Sequence, residues 1–364
     1  MNRRSIVWRA GLALAAMALV VAAPLASRAA EEPLKIGFVY VSPVGDAGWT
    51  YQHDLARKAL EEHFGDRIET SFVESVPEGA DAERVIRELA ASGHGLIFTT
   101  SFGYMNPTVK VAATFPDTYF EHATGYKRAA NLATYLARFY EGRYLAGMVA
   151  GGMTKSNIVG YVAAFPIPEV VRGIDAFTRG MRSVNPDAEV RVVWVSSWYD
   201  PGKEREATET LITQGADVIT QHTDSTAPVQ TAEDRSVWAI GYHSDMSKYG
   251  PTAHLTASTH VWTDYYIRRV QAVLDGTWES THTWGGIAEG MVELAPFNDA
   301  VPEDLRQRVE EAKAKIAAGE LHPFAGPVRD NEGNIRVPEG DTMSDDDMLR
   351  IDWYVEGVQG SLPQ

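Results

Sequence analysis

The chain contains no cysteine. Disulfides are therefore absent, although exported proteins often carry them, and a thiolate metal site is impossible. A lipid on an N-terminal cysteine is excluded as well. Cationic residues are scarce: 33 Lys and Arg stand against 49 Asp and Glu, a formal net charge of −16. So acidic a chain will not bind nucleic acid through phosphate contacts, and the acidity reads as a solubility device. The signatures of nucleotide, acyl-transfer and zinc chemistry are missing too: there is no GxGxxG after a strand, no GxxxxGKS or GxxxxGKT, no GxSxG and no HExxH. The ten histidines are scattered, and His282 between Thr281 and Thr283 reads as loop rather than ligand cluster. Enzyme chemistry is thus disfavoured, and neither a metal nor a cofactor is expected. Repeats and low-complexity tracts are absent.

Beyond the N-terminus no apolar run approaches spanning length. Residues 1–29 carry a basic start (Arg3, Arg4, Arg9), an apolar run from Ala10 to Ala26, and then Ser27-Arg28-Ala29. That is the layout of a cleaved export signal. A membrane anchor is the alternative, but the run is slightly short for a span and small residues follow at once. Cleavage would remove four arginines and leave a still more acidic protein, expected to be soluble, free of lipid and located in a bacterial periplasm.

What remains is ordinary globular composition, with 45% hydrophobic and 23% charged residues. From Lys35 the chain alternates. Short β-branched runs such as KIGFVYV, IETSFV, GLIFTT, NIVGYV, VRVVWV, ADVITQ and VWAIGY are each followed by a stretch of helical period. In EVVRGIDAFTRGM the residues Val170, Ile174, Phe177 and Met181 share one helical face. Such alternation predicts an α/β protein with parallel sheets covered by helices on both faces. The succession is too long for one sheet, so two similar units are expected, with a break near Lys127 to Asn131. The chain then returns to the first unit for VWTDYYIRRVQAVLDG and crosses again for GIAEGMVELAPF. The Gly-, Pro- and Asp-rich tail from Pro323 reads as an ordered surface loop ending in a short helix.

Ligands of open α/β sheets bind beyond the carboxyl ends of strands, and this chain repeatedly places aromatics there. Trp49 and Tyr51 follow the first strand, Phe102 and Tyr104 follow GLIFTT, Phe165 follows NIVGYV, Trp198 and Tyr199 follow VRVVWV, and Tyr242 and His243 follow VWAIG. One such aromatic is ordinary loop packing; five strand ends together indicate a shared cleft for a flat ring. Asp46, Asp224, His243 and Asp245 are the polar candidates. Asp224 could instead cap a helix and Asp245 hold a turn, while Asp200 before Pro201 reads as a cap.

Several of these stretches together resemble the basic-membrane-protein (PnrA-like) family of ABC-transporter substrate-binding proteins. They are EGRYLAGMVAGGMTKSNIVGYVAAFPIPEVVRGIDAFTRGMRSVNPD, SSWYDPGKEREATETLITQGADVITQ, WAIGYHSD and GGIAEGMVELAPFNDAVPEDL. The resemblance implies a type I periplasmic-binding-protein fold: two doubly wound lobes joined by a three-stranded hinge. Lobe 1 is expected to hold 34–128 plus 250–282, and lobe 2 to hold 129–249 plus 283–364. It also implies a purine-type ligand clamped by two aromatics, which fall on Trp49 and Trp198, with Asp46 on the ring edge. Three positions depart from the family pattern. His243 replaces an Asp directed at a ribose, His260 replaces a Lys, and Thr50 replaces an Asn. The base-stacking part is kept and the sugar part rebuilt. The expectation is a monomeric periplasmic receptor that captures a purine nucleobase and delivers it to an ABC permease and ATPase. A nucleoside receptor is the alternative; a ligand sensor and a nucleoside hydrolase are further ones.

Overall fold

The computed structural model describes residues 32–363. The expected export signal lies outside them. In chain order the first elements are β1 (Leu34–Val39), α1 (Trp49–Phe64), β2 (Ile68–Val73), α2 (Ala80–Ala91), β3 (Leu96–Thr99), α3 (Met105–Ala112), β4 (Tyr119–Ala123) and β5 (Leu132–Ala137). Then come α4 (Phe139–Met153), β6 (Ile158–Ala163), α5 (Pro168–Val184), β7 (Glu189–Trp194), α6 (Pro201–Thr213), β8 (Val218–His222), α7 (Ala227–Asp234), β9 (Trp238–His243) and β10 (His254–His260). The chain closes with α8 (Thr263–Leu274), β11 (His282–Gly285), β12 (Val292–Leu294), α9 (Glu303–Ala317), β13 (Val328–Arg329), β14 (Ile335–Val337) and α10 (Asp345–Met348).

Two six-stranded sheets result, ordered β11-β5-β4-β3-β1-β2 and β12-β10-β9-β8-β6-β7. Within the first sheet every pairing is parallel; in the second only β12 runs antiparallel, against β10. Both sheets reverse strand order at the same place, beside their first strand. The carboxyl ends flanking such a switch point are where α/β sheets bind ligands.

The chain passes between sheets three times: after β5, after β10 and after β11. The first passage lies at Arg138, later than the expected break at 127–131, because LATYLA forms β5 and pairs with β4 in the first sheet. β10 pairs with β9 and so belongs to the second sheet, not to the first unit as expected for 250–282. The return itself is as expected. Trp262 and the α8 residues Tyr265, Tyr266 and Val270 share a core with Ile36, Phe38 and Phe98.

Helix α5 buries Val170, Val171, Ile174, Phe177 and Met181. It lies so close to α4 that a Cβ on Gly147 or Gly180 would strike a backbone carbonyl of the facing helix. Asp200 caps α6 by accepting from Lys203 N at 3.1 Å, with Pro201 at the first helical position. The tail is not the surface loop expected. Phe324, Val328, Met343, Met348, Ile351, Tyr354 and Val358 are buried in the core of the second sheet. Arg172 and Arg179 hold it through the carbonyls of Met348 and Pro323.

Candidate functional site

A cavity lies where the carboxyl ends of the two sheets face each other. From the first sheet come Val41 and Trp49 beyond β1, Ser101 and Phe102 beyond β3, and Thr124 beyond β4. From the second come Glu169 at the start of α5, Trp198 beyond β7, His222, Thr223 and Asp224 at β8, and His243 at the end of β9. Thr124 and His243 have φ of +62° and +67°. Non-glycine residues held there cost of order 1–3 kcal/mol and gather at functional sites.

Trp49 is the first residue of α1, and its indole nitrogen donates to Thr100 O at 2.6 Å. That helix has no cap from its own neighbourhood: Gly48, at φ +100°, supplies no side chain. Its cap comes from the other sheet. The Asp224 carboxylate accepts from Trp49 N and from Ser42 Oγ, and Ser244 Oγ accepts from Gly48 N at 2.8 Å. A carboxylate at a helix N-terminus is favoured by both the free N–H groups and the helix dipole. Trp198 mirrors this arrangement. Its indole nitrogen donates at 3.0 Å to Glu78, on the first-sheet side, and the same carboxylate oxygen accepts from Ser101 Oγ at 2.6 Å and Gly103 N at 3.0 Å.

Burial sets the charge of the polar wall. Asp224 is pushed up to about 7 by desolvation, against the lowering effect of the hydrogen bonds from Ser42 and Trp49. Glu169 is also pushed up to about 7 by desolvation, against the nearby Arg172 and Arg143 guanidinium groups. Desolvation holds His222, His243 and His260 well below the usual histidine range, so all three are neutral at pH 7. His243 Nδ1 lies 3.2 Å from His260 Nδ1, and His260 packs on Phe139 at 4.3 Å between ring centres. Among the described residues no cluster of His, Asp or Glu has metal-binding geometry.

Comparison with known proteins places this two-sheet architecture in a family. The model of the family described as ABC transporter substrate-binding protein PnrA-like matches residues 34–322. The chain belongs to this family. A Brucella abortus purine-binding protein is 55% identical over 92% of this chain and 95% of its own length. A Haloferax volcanii protein named for glucose binding by an ABC transporter is 40% identical over 91% of this chain and 82% of its own. The crystal structure of an Aeropyrum pernix solute-binding protein superposes with a TM-score of 0.70 at 20% identity, over 80% of this chain and 93% of that one. The fold of this PnrA-like receptor is therefore the two-lobed type I periplasmic-binding fold, one sheet to each lobe.

The structure brings Trp49, Phe102, Trp198, Asp224 and His243 together at the cavity. Other sequence candidates lie elsewhere. Asp46 is exposed and engaged by Lys248 Nζ and Tyr249 OH, so it does not reach a ring edge in the cavity. Tyr51 sits two residues beyond Trp49 on α1, roughly 200° around the helix, and does not line the cavity. Tyr104 is buried in a lobe core with its hydroxyl on Val76 O at 2.5 Å. Phe165 stands behind Trp198, edge-on at 5.0 Å, and His260 stands behind His243. Tyr199 is exposed, and Asp245 holds a turn through Ser247 N at 2.8 Å. Glu169, Glu78 and His222 were not singled out by the sequence reading. Glu169 reads as an ordinary first-turn acid after Pro168, and Glu78 as loop. His222 ends a strand and was open to the same rule that found Asp224.

Proposed function

We propose that this receptor captures a purine nucleobase between its lobes in the periplasm and passes it, as a monomer, to an ABC permease and its ATPase. Trp49 from one lobe and Trp198 from the other supply the aromatic faces, with Phe102 beside them. Stacking of this kind contributes ~1–3 kcal/mol per base. The 55% identical Brucella relative, named as a purine-binding protein, supports the choice of ring.

The observation that carries base over nucleoside is the paired histidines. A carboxylate accepts two hydroxyl hydrogen bonds from a ribose, and a lysine donates to it. Here His243 and His260 stand in their place, both buried and within 3.2 Å of each other. Their rings occupy volume, and each uses one nitrogen on the other. A sugar hydroxyl left without a partner in such a site costs ~1–3 kcal/mol. Calorimetry with adenine, hypoxanthine, adenosine and inosine tests this, with glucose included because of the Haloferax relative's name. Bases are expected to bind at least tenfold more tightly than their nucleosides. Nucleosides binding tenfold more tightly than bases would refute the nucleobase reading, and glucose alone binding would refute the purine.

A further inference from the structure

Glu169 is the one cavity-lining carboxylate with an oxygen left over. Both oxygens of Asp224 are engaged, by Ser42 and Trp49. Glu169 Oε1 lies 3.7 Å from His222 Nε2, and Glu169 Oε2 is buried with no hydrogen-bond partner. The nearby cations do not fill the gap. Arg143 donates to Gln221 O at 2.6 Å and lies over the face of the Tyr242 ring at 3.2 Å, and Arg172 donates to Met348 O at 2.5 Å. These two guanidinium groups balance the charge of Glu169 without hydrogen-bonding to it. A buried acceptor left unsatisfied is rare enough in folded proteins to require an explanation. In the wall of a cavity lined by Trp49, Trp198 and Phe102, that explanation is an N–H donor on the occupant.

We infer that Glu169 is a specificity-determining residue that selects purines bearing an exocyclic amine, of the adenine type, over 6-oxopurines. The inference rests on the purine reading above. An amine presents two N–H donors on the ring edge, and an ionised carboxylate only accepts. An oxo group at the same carbon would set an oxygen lone pair against the ionised carboxylate, and only a proton taken up by Glu169 could bridge them. Discrimination is strong where a buried polar group would be left unpaired by the wrong ligand. The two arginines keep the carboxylate's charge tolerable in a desolvated site, and His222, neutral, can hold Oε1 while Oε2 faces the amine.

The test is calorimetry with adenine, hypoxanthine and unsubstituted purine on the parent, Glu169→Gln and Glu169→Asp. The parent is expected to bind adenine at least tenfold more tightly than either of the others. Glu169→Gln removes the charge at constant shape and is expected to cut adenine affinity about tenfold while changing unsubstituted purine less than threefold. Glu169→Asp keeps the charge but withdraws it by one methylene. It is expected to lose most of the adenine preference too, whereas a residue that only balanced Arg143 and Arg172 would be rescued by it. Thermal unfolding of each variant, and retained binding of unsubstituted purine, separate misfolding from lost recognition. Equal affinities for adenine and hypoxanthine in the parent, or an adenine preference unchanged in Glu169→Gln, overturn the inference and leave the purine receptor standing. Failure of the parent to bind any of the three overturns both.

Discussion

Replacing Gly48 by alanine is expected to prop the lobes apart. Gly48 is the residue before α1, at φ +100°, and a Cβ there would overlap both a carboxylate oxygen and the backbone carbonyl oxygen of Asp224. The side chain could swing aside, but the backbone carbonyl cannot. Asp224 must therefore withdraw, and Trp49 N loses its charged acceptor. A hydrogen bond to a charged group contributes ~1.5–3 kcal/mol, and the helix dipole adds ~0.3–1 kcal/mol. About 2 kcal/mol shifts an equilibrium roughly thirtyfold. A ligand touching both lobes needs the closed form, so affinity falls with the population of that form. The variant is expected to lose at least tenfold in purine affinity by calorimetry, and to show in small-angle scattering a radius that ligand no longer reduces. Gly93→Ala is the control. It has φ +87° and open space around the added Cβ. It therefore carries positive-φ strain, ~1–2 kcal/mol of stability, without touching the cleft, though Gly48 at ψ −168° is the more restricted backbone. Parental affinity and parental compaction in Gly48→Ala would refute the reasoning.

The two tryptophans and the pH response give the remaining expectations. Trp49→Ala and Trp198→Ala are each expected to lose ~1–3 kcal/mol of binding, about tenfold or more; a Trp198→Ala protein that bound as tightly as the parent would move that residue into packing alone. Glu169 faces Arg172 on α5, Arg143 on α4, His222 on β8 and Tyr242 on β9, and burial raises it to about 7. A carboxyl raised on folding contributes stability that is present below its unfolded value and lost as pH rises through about 7. The free receptor is therefore expected to melt lower at pH 8 than at pH 5. An amine donated to ionised Glu169 drives off that proton, so adenine affinity is expected to rise from pH 6 to pH 8. Calorimetry in buffers of different ionisation heat would report proton release near neutrality; proton uptake would contradict it.

Much of the fold was legible because its signals are local. β2 spans IETSFV as read, and α5 and α6 start at the prolines that mark first helical positions. The passages between lobes were harder. LATYLA is buried at every position, and a short buried run carries no period that assigns it to one sheet or another. HLTASTH has only Leu255 and Ala257 as apolar residues, and its place is fixed by register with β9, which no local pattern encodes. The tail anchors itself through Phe324, Val328, Met343, Met348 and Tyr354, whose irregular spacing looks like loop. At the site, the strand-end rule found residues whose backbone must be there. It overreached for Tyr51, Tyr104 and Phe165, because being near a strand end does not set the direction of a side chain. It missed Glu78 and Glu169 because a lone glutamate has no signature until its surroundings are known.

Those surroundings give the site its logic. Asp224, in the second lobe, holds the backbone of Trp49 in the first. Glu78, in the first lobe, holds the indole of Trp198 in the second. Each lobe thus carries the carboxylate that fixes the other lobe's tryptophan. Neither tryptophan has its full set of partners unless the lobes meet, so closing the cleft and assembling the stacking faces are one event. A ligand shifts such an equilibrium only by its difference in affinity for the two forms. That difference is largest when the groups it touches are ordered by closure itself. Under the proposed function, a flat base stacked against faces that complete themselves on closure meets this condition.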